Sequence, residues 1–252
     1  MGATFSHTGI VLKSTKLGET DVILTLLSEE GVLVQGVLKG ARNPRSKTVG
    51  KGELFSVQNV LFAQGKSLDI ITESSIVESA KNLTCSYEAS LAASVVSEVA
   101  LKTSALGNPS PRFFQLTAAA LSYLNACASE DFETIYTLVA AYIIKALALQ
   151  GYRPVLEACS VCFEQPDCFV GWSHSAGGAV CADCYDHAFH TAINPELVGW
   201  LNHLLMGTFS DLAAHPCEKP VLSDTTHLLR DFFEYNMSTP LKSLSIFWSL
   251  TS

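Results

Sequence analysis

The first 80 residues carry their apolar positions in short, β-branched-rich runs separated by turn residues. His7–Lys13 (HTGIVLK), Asp21–Ser28 (DVILTLLS), Gly31–Gly40 (GVLVQGVLKG), Leu54–Ala63 (LFSVQNVLFA) and Ser67–Val77 (SLDIITESSIV) each read as a strand. The segments KLGET, EEG and QGK, and a longer polar stretch after Gly40, supply the turns. Short strands rich in Val, Ile, Leu and Phe, with turn signals between them, predict a small closed or partly closed barrel. An OB-type barrel has five strands and holds single-stranded nucleic acid with its loops. A small SH3-like barrel is the alternative.

After about Asn82 the period changes. Leu91, Val95 and Val99 recur every fourth residue with Ala between them, the spacing of a buried helix. Asn108–Phe114 (NPSPRFF) is a break followed by a helix start. Phe132–Leu149 is apolar almost all round, which predicts the central helix of a core, with Gly151 as its stop. Glu196–Met206 and Asp224–Asn236 read as two amphipathic helices. Residues Cys159 to Cys184 show no helical period and interrupt the helical region as an inserted module.

Composition sharpens this. Of 252 residues, 48% are hydrophobic and 16% charged, which argues for a packed core and against disorder. The most apolar run, Thr134–Ile144, is eleven residues and then meets Lys145, whereas a membrane span needs about 20. No basic segment followed by an apolar one marks a signal peptide. The opening MGATFS fits the N-myristoylation pattern, a short and frequently accidental match. The expected setting is a reducing cytoplasm, with no membrane partner.

The net charge is −8, yet it is unevenly spread. Residues 1–81 hold nine Lys/Arg against eight Asp/Glu, and residues 82–252 hold seven against sixteen. The excess cations concentrate in KGARNPRSKTVGK, where Lys39, Arg42, Arg45, Lys47 and Lys51 occur with no carboxylate. A positive, Gly- and Pro-containing loop between two strands of a small barrel can follow a phosphate backbone. A merely solvated loop is the plainer alternative. Past residue 82, only Lys102, Arg112, Lys145 and Arg153 could extend a basic surface before the cysteine-rich module.

Eight cysteines are present, five of them within CSVCFEQPDCFVGWSHSAGGAVCADC. Cys159/Cys162 and Cys181/Cys184 form two CxxC pairs, the pattern of a four-cysteine zinc site. Each CxxC turn sets two thiolates on one edge of a tetrahedron, and Ser175, Gly177 and Gly178 can form the turn that brings the second pair under the first. Cys168 is expected to be a spare thiol, and His174, His187 and His190 surface histidines. A redox dithiol would sit at a helix N-terminus beside a βαβ pattern, which is not seen. A closed site of four cysteines has no open position for catalysis, so one structural Zn2+ is expected.

No catalytic constellation stands out. There is no Walker loop, GxGxxG, HExxH or GxSxG, and Pro216-Cys217 lacks the CxxC of a deaminase. Glu19 and Asp21 in GETD read as solvated turn carboxylates. No catalytic residue is expected.

The chain resembles the RecO family of bacterial recombination mediators. The resemblance rests on T-G-I-V-L-K with G-E-T-D (Thr8–Lys13, Gly18–Asp21), on Lys39-Gly-Ala-Arg42 with Ser46, on the C-x-x-C…G-G-x-x-C-x-x-C module, and on P-L-K-S-L (Pro240–Leu244). It implies an OB-fold at residues 1–81, a helical domain at 82–252 and a zinc module at about 155–190 within it. It also implies binding and annealing of single- and double-stranded DNA, and joint action with RecR to load RecA onto DNA coated by single-stranded-DNA-binding protein. A contact with that protein's acidic, Phe-ended C-terminal tail is implied too, for which Arg112 and Phe113 are the candidates here; Phe113 as a core residue is the plainer reading.

The expectation is therefore an α+β protein: a five-stranded OB-type barrel, then an α-helical domain with an inserted four-cysteine zinc module. Its expected role is that of a non-enzymatic DNA-annealing mediator. A zinc-ribbon interaction, transcription or assembly factor is the runner-up, and a metalloenzyme the third reading.

Overall fold

The computed structural model describes residues 3–43, 52–105, 107 and 109–249. Five N-terminal strands, β1 (Thr4–Leu17), β2 (Asp21–Ser28), β3 (Leu33–Leu38), β4 (Val57–Ala63) and β5 (Asp69–Glu78), close into a barrel. The order around it is β1-β2-β3-β5-β4, with β3 and β5 parallel and the other pairs antiparallel. This is the five-stranded OB arrangement. β1 reaches both neighbours because it is long and bulged between Val11 and Lys13. Its N-terminal half pairs with β4 and its C-terminal half with β2.

Inward positions at period two fill the barrel: Val11, Val22, Leu24, Leu26, Leu38, Val60, Phe62 and Ile71 are all buried. Phe62 fits because Gly36 faces it; a Cβ there would lie 2.7 Å from its ring.

The second layer is helical. α1 (Tyr87–Ser104), α2 (Pro111–Ala126), α3 (Phe132–Leu149), α4 (Glu196–Met206), α5 (Phe209–Ala214), α6 (Lys219–Met237) and α7 (Lys242–Trp248) follow in order. α3 contacts α1, α2, α4, α5 and α6, as its all-round apolar sequence predicts. By length and composition α3 could cross a membrane, but 72% of it is buried inside the fold, where it is the core helix.

Local chemistry starts these helices. The side chains of Ser86, Ser110, Asp131 and Thr208 accept N–H bonds at the first turns of α1, α2, α3 and α5. Gly151, at φ +94°, ends α3. α5 and α7 are too short to show a period in the sequence, and α6 starts at Lys219 rather than Asp224.

Barrel and helices share one core. Ile10, Leu12, Leu27 and Phe55 pack in the same cluster as α1 and α3. The approach is close enough that a Cβ on Gly31 would meet the Ser110 carbonyl at 2.3 Å. Between α3 and α4 the chain leaves the helical layer for a small antiparallel sheet, β6 (Gly171–Ser173), β7 (Gly178–Val180) and β8 (Thr191–Ala192), in the order β7-β6-β8.

Candidate metal centre and nucleic-acid interface

The cysteine pairs meet because a turn and a hairpin converge. The first turn is closed by Cys159 N–H to Glu164 O and Phe163 N–H to Cys159 O, both 2.8 Å. Ser160 N–H donates to Ala179 O at 2.8 Å and ties this turn to β7. The β6–β7 hairpin turns at Gly177 (φ +74°), with Gly177 N–H on Ser173 O, and delivers Cys181 and Cys184. Close packing fixes the arrangement: a Cβ on Gly178 would meet the Val155 carbonyl at 2.3 Å, and one on Gly171 the Tyr185 ring at 2.3 Å.

As a result the Sγ atoms of Cys159, Cys162, Cys181 and Cys184 all lie within 4.8 Å of one another. Cys162 and Cys181 are 3.9 Å apart, against the roughly 3.8 Å edge of a tetrahedron with 2.3 Å metal–sulfur bonds. Among the described residues this is the one His, Cys, Asp or Glu cluster of three or more that could hold a metal. Burial opposes ionisation of Cys159, but the N–H groups of Cys181, Cys162 and Val161 outweigh it and bring that thiol down to about 6. Hydrogen bonds with Cys162 and Cys181, and then burial, push Cys184 up to about 12. As thiolates, four sulfurs so disposed form a donor set that suits a soft or borderline divalent ion such as zinc.

Cys168 is exposed and stands outside the cluster, and none of the three nearby histidines joins it. His190 Nδ1 accepts from the Asp186 N–H at 3.0 Å, and His187 sits edge-on to Tyr185. His174 is half-buried beside Tyr235 rather than on the surface, and burial lowers its pKa.

Of the five cations in the basic stretch, Arg45, Lys47 and Lys51 lie outside the described residues. Lys39 and Arg42 are exposed at the end of the barrel. Here the structure gives Asp21 a role that its sequence context hid. Its Oδ1 accepts the Gly40 N–H and the Thr20 hydroxyl, each at 2.9 Å, and these bonds lower its pKa. Arg42 N–H bonds Thr20 O, and its guanidinium bonds Gly18 O at 3.3 Å. The GETD turn is thus the anchor from which the basic stretch departs.

The helical region offers little positive surface. Lys102 pairs with Glu98 at 2.8 Å, and Arg153 donates to Met206 Sδ. Lys145 bonds the Leu205 and Gly207 carbonyls at 2.7 and 2.8 Å, closing the C-terminus of α4; burial, and then the Arg153 charge, lower its pKa to about 8. Arg112 is exposed, but Phe113 is 1% exposed and belongs to the core, so it has no face to offer a peptide.

Two family descriptions divide this chain between them: "Recombination protein O N terminal" matches residues 1–80 and "Recombination protein O C terminal" residues 86–245. The chain belongs to the RecO family. The family's two parts fall on the barrel and on the helical layer with its cysteine module. A protein of Bifidobacterium adolescentis named DNA repair protein RecO is 32% identical over 251 residues, 96% of this chain and 98% of that one. A namesake from Bifidobacterium longum is 31% identical over 94% of this chain and 96% of its own. One from Dehalococcoides mccartyi is 28% identical over 95% and 93%.

Proposed function

We propose that this chain is a non-enzymatic DNA-binding protein of recombinational repair that anneals complementary strands and, with RecR, helps load RecA onto single-stranded DNA. The observation that carries the DNA reading is the anchored basic stretch. An acidic chain concentrates cations on one segment, Lys39, Arg42, Arg45, Lys47 and Lys51, and commits Asp21 to holding its root. The relatives' name, DNA repair protein, supports the same assignment. Contacts of Lys and Arg with phosphate carry affinity without reading sequence, which suits a protein that must act on any single or double strand. The barrel, residues 1–81, is the DNA-binding domain in this reading. The helical domain, 82–252, is the scaffold for RecR and for the C-terminal tail of single-stranded-DNA-binding protein, in the cytoplasm and on the nucleoid.

Cys159, Cys162, Cys181 and Cys184 hold one structural Zn2+ in the module at 155–190. That four sulfurs lie within 4.8 Å supports this. The ion's part is to fold the module, because a site of four protein ligands leaves no position for substrate.

A second reading, protein recognition through this module, has one observation in its favour. Phe163 is 72% exposed on a module that carries Glu157, Glu164, Asp167, Asp183 and Asp186 and no Lys or Arg. An acidic surface with an apolar knob suits a basic protein partner and repels nucleic acid.

A titration of labelled single-stranded oligonucleotide, at several salt concentrations and with and without RecR, tests the proposal. Binding that weakens with salt and a further shift on adding RecR are expected. No binding at low salt would overturn the DNA reading.

A further inference from the structure

A cleft of about 470 Å3 lies where the barrel meets α1, and nothing so far assigns it a use. Leu12, Lys13 and Ser14 of β1 form one wall, Leu54 and Phe55 a second, and α1 the third. Its size is in the range of small-ligand sites, about 300–1,000 Å3.

Three observations mark it as built to hold something. The first is Ser97 on α1. It is only 4% exposed, lines the cleft, and its hydroxyl has no hydrogen-bond partner. A buried hydroxyl without a partner costs stability, and an Ala on α1 would avoid that cost. The second is Phe55, a non-glycine residue at φ +70°. That strained backbone is pinned against β1 by Phe55 N–H to Val11 O at 2.8 Å and Val11 N–H to Ser56 O at 3.0 Å. The third is position. Gly52 returns from the basic stretch against Leu24 and Leu38 inside the barrel, and Leu54 and Phe55 follow directly as the cleft wall. The stretch leaves after Leu38, on the strand that pairs with Leu24 and Val22, so both of its ends meet the same end of the barrel.

The polar groups are graded from floor to rim. Ser97 is at the floor, and Lys13 is exposed at the rim. The Glu98 carboxylate also faces the cleft, but its charge is met by the Lys102 ammonium at 2.8 Å and by the N–H groups of Lys242 and Ser243. Lys13 is therefore the charge left to act on an incoming anion. Leu12, Leu54 and Leu101 supply apolar walls between rim and floor.

We propose that this cleft is a nucleotide subsite: it takes one unstacked nucleotide of a single strand, with the base between Leu54 and Leu101, a polar edge of the base on Ser97 Oγ, and the phosphate at Lys13. The proposal rests on the DNA-binding reading above and deepens it. The basic stretch holds the backbone, as a positive groove does in single-strand binding, and the cleft takes a base out of the strand between apolar walls.

Anisotropy titrations with labelled oligo(dT) and with an abasic strand of the same length test it. The wild type is expected to bind oligo(dT) more tightly than the abasic strand. Ser97→Ala should weaken oligo(dT) binding roughly three- to tenfold, the worth of one hydrogen bond, and leave the abasic strand and the salt slope unchanged. Ser97→Ala should also melt no lower than wild type, which separates a lost ligand contact from a damaged fold. Lys13→Ala should weaken both strands and flatten the log–log salt slope by about 0.7. Leu101→Trp, filling the cleft, should abolish the preference for bases. If Ser97→Ala and Leu101→Trp, both folded by circular dichroism, bind both strands as wild type does, the subsite is overturned. Loss of binding in an Arg42/Arg45/Lys47 alanine variant under the same conditions would then leave the DNA reading standing. A wild type that binds neither strand overturns both. Cleft variants that lose an acidic peptide probe but keep oligo(dT) would make this a protein site and overturn the nucleotide.

Discussion

Glu98 of α1 accepts the N–H of Ser243 at 2.8 Å and so caps α7 from another element. It also accepts the Lys242 N–H at 3.2 Å and the Ser243 hydroxyl, while Lys102, one turn on, pairs with it and donates to the Pro240 carbonyl. α7 has no side-chain cap of its own, and Leu241, Leu244 and Phe247 are wholly buried. The P-L-K-S-L segment is therefore a docking latch: Leu241 and Leu244 enter the core, and Lys242 and Ser243 present N–H groups to Glu98. Glu98→Ala is expected to cost about 1–3 kcal/mol, the loss of a partly buried charged cap. Urea denaturation checks the value, and an unchanged midpoint would refute the latch.

The same latch sets a pH dependence. Burial raises the Glu98 pKa, but the bonds from Lys102, Ser243 and Lys242 outweigh it, and the net shift is downward. A carboxylate with a folded pKa below its unfolded value contributes stability above the unfolded value, near 4.3, and loses it as pH falls through the folded pKa. Wild type should therefore lose more stability than Glu98→Gln between about pH 5 and pH 3. Parallel curves for the two proteins would show that the latch is uncharged.

The latch also shows what the sequence could and could not convey. The barrel strands and the span of α3 were legible because their periods are local and their burial nearly complete: α3 runs from Phe132 to Leu149 as its apolar run does. The cysteine pairs were legible because two short CxxC turns encode half of a tetrahedron each. The Glu98–Ser243 contact spans 145 positions, and no local pattern signals it. Asp21 was hidden for the same reason, since a carboxylate in a turn reads as solvated until Gly40 is brought to it. Nothing in the local pattern around Ser97 marks it; only the packed structure shows its hydroxyl buried without a partner.

Metal content is the next test. One zinc per chain is expected by elemental analysis of protein purified without chelator. Cys181→Ser should release it and lower the stability of the module, because binding such an ion is folding energy. Cys168→Ser should retain it, since Cys168 stands outside the cluster. Zinc lost from Cys168→Ser, or absent from wild type, would refute the assignment.

The basic stretch should announce itself through salt. If it neutralises three to five phosphates of a single strand, log affinity should fall with log salt at a slope of about −2 to −3.5. Replacing Arg42, Arg45 and Lys47 together by Ala should flatten that slope by about 2, with similar losses on different sequences. An unchanged slope in the folded variant would place any DNA contact elsewhere.

The turn at Phe163 makes the last prediction, and it runs opposite to most core substitutions. Phe163 follows Cys162 at φ +63°, a conformation that costs an L-residue about 1–2 kcal/mol and glycine nothing. The residue is 72% exposed, so it recovers little of that by burial. Its N–H to Cys159 O at 2.8 Å is part of the turn that sets Cys159 and Cys162, and so the strained angle is imposed by the cysteine cluster. Phe163→Gly should relieve it. Glycine gives back part of the gain through its freer unfolded chain, leaving a net stabilisation of about 0.5–1 kcal/mol. Zinc should be retained and bound at least as tightly. Thermal denaturation of the zinc-loaded protein with and without the substitution provides the measurement. A Phe163→Gly protein that is less stable than wild type would mean that the ring packs against the module and would refute the prediction. One that is more stable but fails in RecR-dependent assays would identify Phe163 as a residue kept for a partner to the detriment of the fold.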